Sequence, residues 1–128
     1  MKEYKEIQVA LLGLGTVGLG VYKVLQMQKE EMQHKIGTEI KIKKILVRNL
    51  EKAAGKIEDA SVLTDSWQEI VNDDEIQIVI EVMGGMEPAR TYIMEAMQAG
   101  KQVVTANKDL IAADGKELMD QAKKSGCD

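Results

Sequence analysis

The stretch Ile7-Gln8-Val9-Ala10-Leu11-Leu12-Gly13-Leu14-Gly15-Thr16-Val17-Gly18-Leu19-Gly20 leaves a chain little choice of fold. A nearly unbroken apolar run, too short for a helix of its own, leads directly into G-x-G-x-x-G. Apolar residues then recur at helical spacing through Val17, Val21, Val24 and Leu25. The pattern predicts strand, tight turn and helix in that order. The glycines have separate jobs in such a turn: Gly13 permits it, Gly15 lets a pyrophosphate approach the backbone, and Gly18 lets the helix lie against the strand. The first turn of the helix aims its free N–H groups and positive dipole end at an anion held there.

A chain of 128 residues fits one domain, 1–128, and a domain of this size buries roughly two-thirds of the surface its unfolded chain exposes. The absence of Phe and the 8 Met predict an aliphatic, thioether-rich core. A net charge of −4 argues against a nucleic-acid surface. Lys41, Lys43 and Lys44 lie among apolar residues of an apparent strand and read as one solvated face. No apolar run approaches the span of a bilayer and the N-terminus lacks a signal-peptide core, so no membrane partner and a cytoplasmic location are expected. Cys127 is the only cysteine and His34 the only histidine. Intrachain disulfides and cysteine-cluster metal sites are thereby excluded, no metal is expected, and His34 reads as a solvated side chain.

Taken in order, the first strand runs to about Leu12 and the first helix over residues 16 to about 34, with Gly37 as its stop. Ile40, Ile42 and Ile45-Leu46-Val47 form the second strand, and a short helix or loop follows at about Leu50 to Ala54. Ser61-Val62-Leu63-Thr64 reads as a short third strand. Asp65 or Ser66 then caps a helix in which Trp67, spaced with Ile70 and Val71, is a packing anchor. The fourth strand covers residues 76–83 and ends in Gly84-Gly85. Pro88 suits the first turn of a helix whose apolar face is Ala89, Ile93, Ala96 and Met97 and whose stop is Gly100. Residues 101–106 form the fifth strand. One or two helical turns then precede a helix from about Asp114, closed by Gly126.

Strands alternating with helices imply an α/β fold: a doubly wound parallel sheet of Rossmann type, three-layer αβα, with right-handed crossovers. A ligand belongs at the carboxyl ends of the strands. Three strand ends converge there: residues 13–18, Gly84-Gly85, and Thr105 to Lys108. Glu81, a carboxylate in an otherwise apolar strand, must find donors or turn to solvent. It is expected to orient the Gly84-Gly85 turn and is assigned no catalysis.

An NAD site in such a fold places Asp or Glu at the end of the second strand to accept hydrogen bonds from the adenosine ribose. Here the strand ends Leu46-Val47-Arg48-Asn49. Guanidinium donors match a 2′-phosphate and cannot replace a carboxylate as acceptor. Arg48 therefore favours NADP over NAD. It lies further from the glycines than the usual spacing of about 20 residues because the first helix is long.

Read together, the strand ends resemble the amino-terminal nucleotide-binding domain of homoserine dehydrogenase. The stretches that carry the resemblance are Gly13-Leu14-Gly15-Thr16-Val17-Gly18, Ile80-Glu81-Val82-Met83-Gly84-Gly85 and, most specifically, Gly100-Lys101-Gln102-Val103-Val104-Thr105-Ala106-Asn107-Lys108. The resemblance implies interconversion of L-aspartate 4-semialdehyde and L-homoserine by hydride transfer with NAD(P)H, on the path to threonine, isoleucine and methionine. It further implies that backbone at Gly15, Thr16 and Val17 holds the pyrophosphate and that Arg48 faces the adenosine end. Gly84 with Thr105 lines the path toward the nicotinamide, and Lys108 stands near that ring and the reacting carbonyl. Members of the family continue into a substrate-binding and dimerisation region that supplies the acid-base lysine. Nothing here corresponds to it, so the chain reads as a cofactor domain with its last strand or strands truncated, binding cofactor without turnover and carrying no catalytic residue of its own. The full-length enzyme is expected to be a homo-oligomer. Two other classes fit a glycine-rich turn less well. A non-catalytic dinucleotide sensor needs no cation at Lys108, and an adenosylmethionine-dependent methyltransferase does not account for Arg48.

Overall fold

The computed structural model describes residues 5–33 and 38–126. His34, Gly37 and Cys127, singled out above, lie outside them. Five parallel strands form one sheet in the order β3-β2-β1-β4-β5: β1 Lys5–Leu12, β2 Thr38–Leu46, β3 Leu63–Thr64, β4 Ile76–Glu81 and β5 Gln102–Thr105. The strand that leads into the glycine turn, β1, is central, and the order reverses on either side of it. The crossovers are α1 Thr16–Gln33, α2 Leu50–Ala54, α3 Trp67–Val71 and α4 Ala89–Gln98; α5 Lys108–Ser125 follows the last strand.

Alternation along β1 explains the layering. Ala10 and Leu12 face one side, where Trp67 and Ile70 of α3 and Ala96 of α4 cover them. Val9 and Leu11 face the other, under Leu19 and Leu25 of α1 and Ala53 of α2. Buried on both faces, the strand reads as a continuous apolar run, as parallel strands do. A third cluster joins Ala89, Ile93 and Met97 of α4 to Leu110, Leu118 and Ala122 of α5. The expected three layers are present, and Trp67 is buried as expected. It stacks on Tyr92 at 4.5 Å between ring centroids and its indole N–H donates to Glu95 at 2.7 Å.

Departures from the sequence reading are local and have local causes. Ser61 and Val62 lie in a 3-10 turn, Ala60–Val62, because the Asp59 carboxylate accepts from the Ser61 backbone N–H and hydroxyl. Only Leu63 and Thr64 pair, with Ile45 and Leu46. β4 stops at Glu81: Val82 still donates its N–H to Leu12, but the N–H groups of Met83 and Gly84 turn back to the Glu81 carboxylate. Lys101 precedes β5 and points inward. Its ammonium is buried and donates to the carbonyls of Asp73 and Ile76, and burial pushes its pKa down.

Lys41, Lys43 and Lys44 are not one solvated face. Val9 pairs with Ile42 and Ala10 with Lys44, so Lys43 is the extra residue of a bulge. Re-aimed by it, Lys43 reaches Asp73 at 2.6 Å and Glu75 at 2.9 Å, and Lys44 reaches Glu69 at 3.7 Å. The expected break near Asp114 is present as a non-helical residue (φ −127°, ψ 18°) inside α5, and Gly126 closes that helix at φ 72°.

Candidate functional site

The turn from β1 to α1 is built by exclusion. Gly13 has φ 104°, and a Cβ there would meet Met83 and Val82 at 3.2–3.3 Å. A Cβ on Gly18 would stand 2.4 Å from the Gly13 carbonyl oxygen, closer than any side chain tolerates. Gly15 is different: nothing lies within 4 Å of the position a Cβ would take. Gly13 and Gly18 are thus required by the protein itself, while the surroundings of Gly15 leave room for something else. Gly15, Thr16 and Val17 are exposed at the start of α1, where the first backbone N–H groups of a helix have no partner within it. The turn is anchored by the Gly13 N–H, which donates to Leu46 at 2.9 Å.

Beside this turn lies a cleft of about 680 Å³, at the carboxyl ends of β1, β2 and β4. Gly13 and Gly15 line it on one side and Arg48 and Asn49 on another, with Val82, Met83 and Tyr92 across from them. Two lysines share the lining, Lys52 and Lys56. Asn49 caps α2 by accepting from the Lys52 N–H at 3.0 Å, which sets Lys52 in the first turn just past Arg48. Lys56 follows four residues later and its ammonium donates to the Leu14 carbonyl at 3.2 Å, so a second cation sits against the glycine turn. A protein of net charge −4 thus gathers three cations on one cleft, with Asp65 the acid among its lining residues. No such basic cluster is visible in the linear sequence.

Gly84, Gly85, Thr105 and Lys108 do not line this cleft. They form a second cluster where β4 and β5 end. Gly84 and Gly85 have φ 76° and 75°, and the Glu81 side chain holds the turn as expected of it, accepting from Met83 at 2.9 Å and Gly84 at 3.2 Å. The Thr105 hydroxyl donates to the other Glu81 oxygen. Lys108 is exposed at the start of α5. Asn107, quoted above only as part of the stretch that carries the resemblance and given no role of its own, caps α5 through Leu110 and donates to the Gly85 carbonyl. Among the described residues no group of three or more His, Cys, Asp or Glu side chains is placed to hold a metal ion, and no helix is long and apolar enough to cross a membrane.

A parallel sheet whose strand order reverses at β1, a turn whose glycines are forced at 13 and 18 and open at 15, and a cation-lined cleft at that switch point define a dinucleotide-binding α/β domain of the Rossmann type. The family model described as "Homoserine dehydrogenase, NAD binding domain" matches residues 13–128. The chain belongs to that family, whose ligand class is a nicotinamide dinucleotide. It is 45% identical to the homoserine dehydrogenase of Bacillus subtilis over 124 residues, covering 97% of this chain and 29% of that protein. Among solved structures, a homoserine dehydrogenase from Thiobacillus denitrificans superposes with a TM-score of 0.88 at 44% identity, over 99% of this chain and 29% of the other. A hyperthermophilic archaeal homoserine dehydrogenase solved in complex with NADPH gives a TM-score of 0.74 at 25% identity, over 94% and 42%. The chain therefore spans about three-tenths of the length of the curated relatives it matches.

Proposed function

We propose that this chain is the coenzyme-binding unit of a homoserine dehydrogenase and that it prefers NADP to NAD. The open position at Gly15 carries the reading. It leaves room for the diphosphate at the exposed first turn of α1, where the leading backbone N–H groups, those of Gly15, Thr16 and Val17, have no partner within the helix. When bound, the nicotinamide supplies or accepts the hydride that interconverts L-aspartate 4-semialdehyde and L-homoserine. Gly84, Gly85 and Thr105 face the nicotinamide end, and the Lys108 ammonium supplies positive charge beside the reacting oxygen. This chain alone binds coenzyme without turning over homoserine. The same reading makes the whole enzyme a cytoplasmic homo-oligomer on the path to threonine, isoleucine and methionine.

Support for NADP comes from the end of β2, where no carboxylate follows the strand and Arg48, Lys52 and Lys56 share the cleft. The likeness to an archaeal enzyme solved with NADPH points the same way. A titration of NADP and NAD into this chain tests the proposal. Trp67, the single tryptophan, stacks on Tyr92 of the cleft lining and serves as the fluorescent reporter. Tighter binding of NADP is expected, with the preference falling about tenfold in Arg48→Ala, as for loss of a hydrogen bond between charged groups. Equal affinity for the two coenzymes, or a preference unchanged in Arg48→Ala, contradicts the NADP assignment. Homoserine-dependent reduction of NADP by this chain contradicts the claim that it does not turn over.

A further inference from the structure

Glu81 is fully buried at the last position of a strand that is otherwise nearly all apolar. Nothing about ending a strand requires a carboxylate there, and burying one costs several kcal/mol unless donors meet it. Three donors meet it, and they come from two different turns. Met83 and Gly84 donate backbone N–H groups to Oε2, and Thr105, at the end of the neighbouring strand, donates its hydroxyl to Oε1. The Thr105 oxygen accepts in turn from the Asn107 N–H at 3.0 Å. The Asn107 side chain then divides: its Nδ2 donates to the Gly85 carbonyl, and its Oδ1 accepts from the Leu110 N–H at 3.1 Å to cap α5.

These bonds close a ring that runs from Glu81 through the Gly84-Gly85 turn to Asn107, back through Thr105 and onto Glu81. Two adjacent glycines at positive φ are the most freely moving pair of residues a chain can offer. The ring removes that freedom from both sides, and Lys108 is carried on the same frame, one residue beyond Asn107.

We propose that Glu81 is a positioning residue that locks the turn after β4 to the turn after β5, so that the nicotinamide half of the site is built as one rigid unit. The proposal rests on the assignment of those two turns to the nicotinamide end. A side chain at 81 must accept three hydrogen bonds and donate none. Glutamate does this; glutamine, with one acceptor and one donor group, does not.

The test separates the two halves of the coenzyme. Dissociation constants for NADP and for 2′-phospho-ADP-ribose, which lacks the nicotinamide, are measured on this chain and on Glu81→Gln, Thr105→Val, Thr105→Ser and Asn107→Asp. Asn107→Asp matters most, because aspartate caps a helix as well as asparagine yet offers no donor to Gly85. It reports on the ring even where Glu81→Gln fails to fold. NADP binding is expected to weaken about tenfold in Glu81→Gln, Thr105→Val and Asn107→Asp, with Thr105→Ser restoring it and 2′-phospho-ADP-ribose binding within about twofold of the parent throughout. Unchanged NADP affinity in folded Asn107→Asp, or an equal loss for both ligands, overturns the proposal while leaving the coenzyme assignment standing. Failure of the parent chain to bind either ligand overturns the coenzyme assignment and the proposal with it.

Discussion

Gly13, Gly15 and Gly18 are the same residue placed in three different surroundings, and substitution separates what each does. Alanine at 18 drives a methyl group into the Gly13 carbonyl, which a backbone turn cannot yield to cheaply. Gly18→Ala is expected to lower stability by about 3 kcal/mol, as overpacking at a rigid contact does, read as a shifted midpoint in urea. Alanine at 15 meets nothing of the protein. Gly15→Ala is expected to hold the parent's midpoint within about 0.5 kcal/mol and to lose coenzyme affinity at least tenfold in the same Trp67 titration. A Gly15→Ala chain that binds as well as the parent, or a Gly18→Ala chain as stable as the parent, refutes the division of roles. The motif was legible in the sequence, as was the need for glycine at positions 13 and 18. The clash distance that makes Gly18 obligatory was not, because it depends on how tightly the helix closes onto the strand.

At the level of single elements, strand and helix order followed from periodicity, and the corrections cluster where one side chain redirects the backbone. Asp59 takes two residues from β3, the Glu81 carboxylate ends β4 early, and Lys101 turns inside to the carbonyls at the far end of β4. The bulge in β2 is another such case, since register shifts leave no trace in an alternation count. Its consequence is the Lys43–Asp73 pair. The hydrogen bond from Lys43 holds the Asp73 carboxyl below its usual range, and the bond to Asp73, then that to Glu75, raises the Lys43 ammonium. With a depressed acid and a raised base, the pair stabilises the fold between the ordinary values of about 3.9 and 10.4. The contribution is lost as pH falls through the folded value of Asp73, below 3.9, or rises through that of Lys43, above 10.4. Lys43→Met is therefore expected to be less stable than the parent at pH 7, by a margin that is smaller at pH 2. A stability difference that is the same at both pH values contradicts the assignment.

Across the whole molecule, the sheet order β3-β2-β1-β4-β5 converts a sequence motif into a site by placing the glycine turn at the switch point. The turn, Arg48 and the convergence of strand ends were readable in the linear sequence, because each follows an apolar run and marks its end. Lys52, Lys56 and Asn107 were not, since what gives them a role is the neighbour the fold supplies: the cleft wall for the lysines and the Gly85 carbonyl for the asparagine. Coenzyme binding in this fold depends on backbone N–H groups at the start of α1 gripping the diphosphate. Amide resonances followed in a nitrogen-15 labelled chain during addition of NADP report on that grip directly. Saturation is expected to move the signals of Gly15, Thr16 and Val17 most strongly, with smaller movements at Gly84 and Gly85. Signals at residues 15–17 that stay in place while the chain remains folded at saturating coenzyme contradict the account.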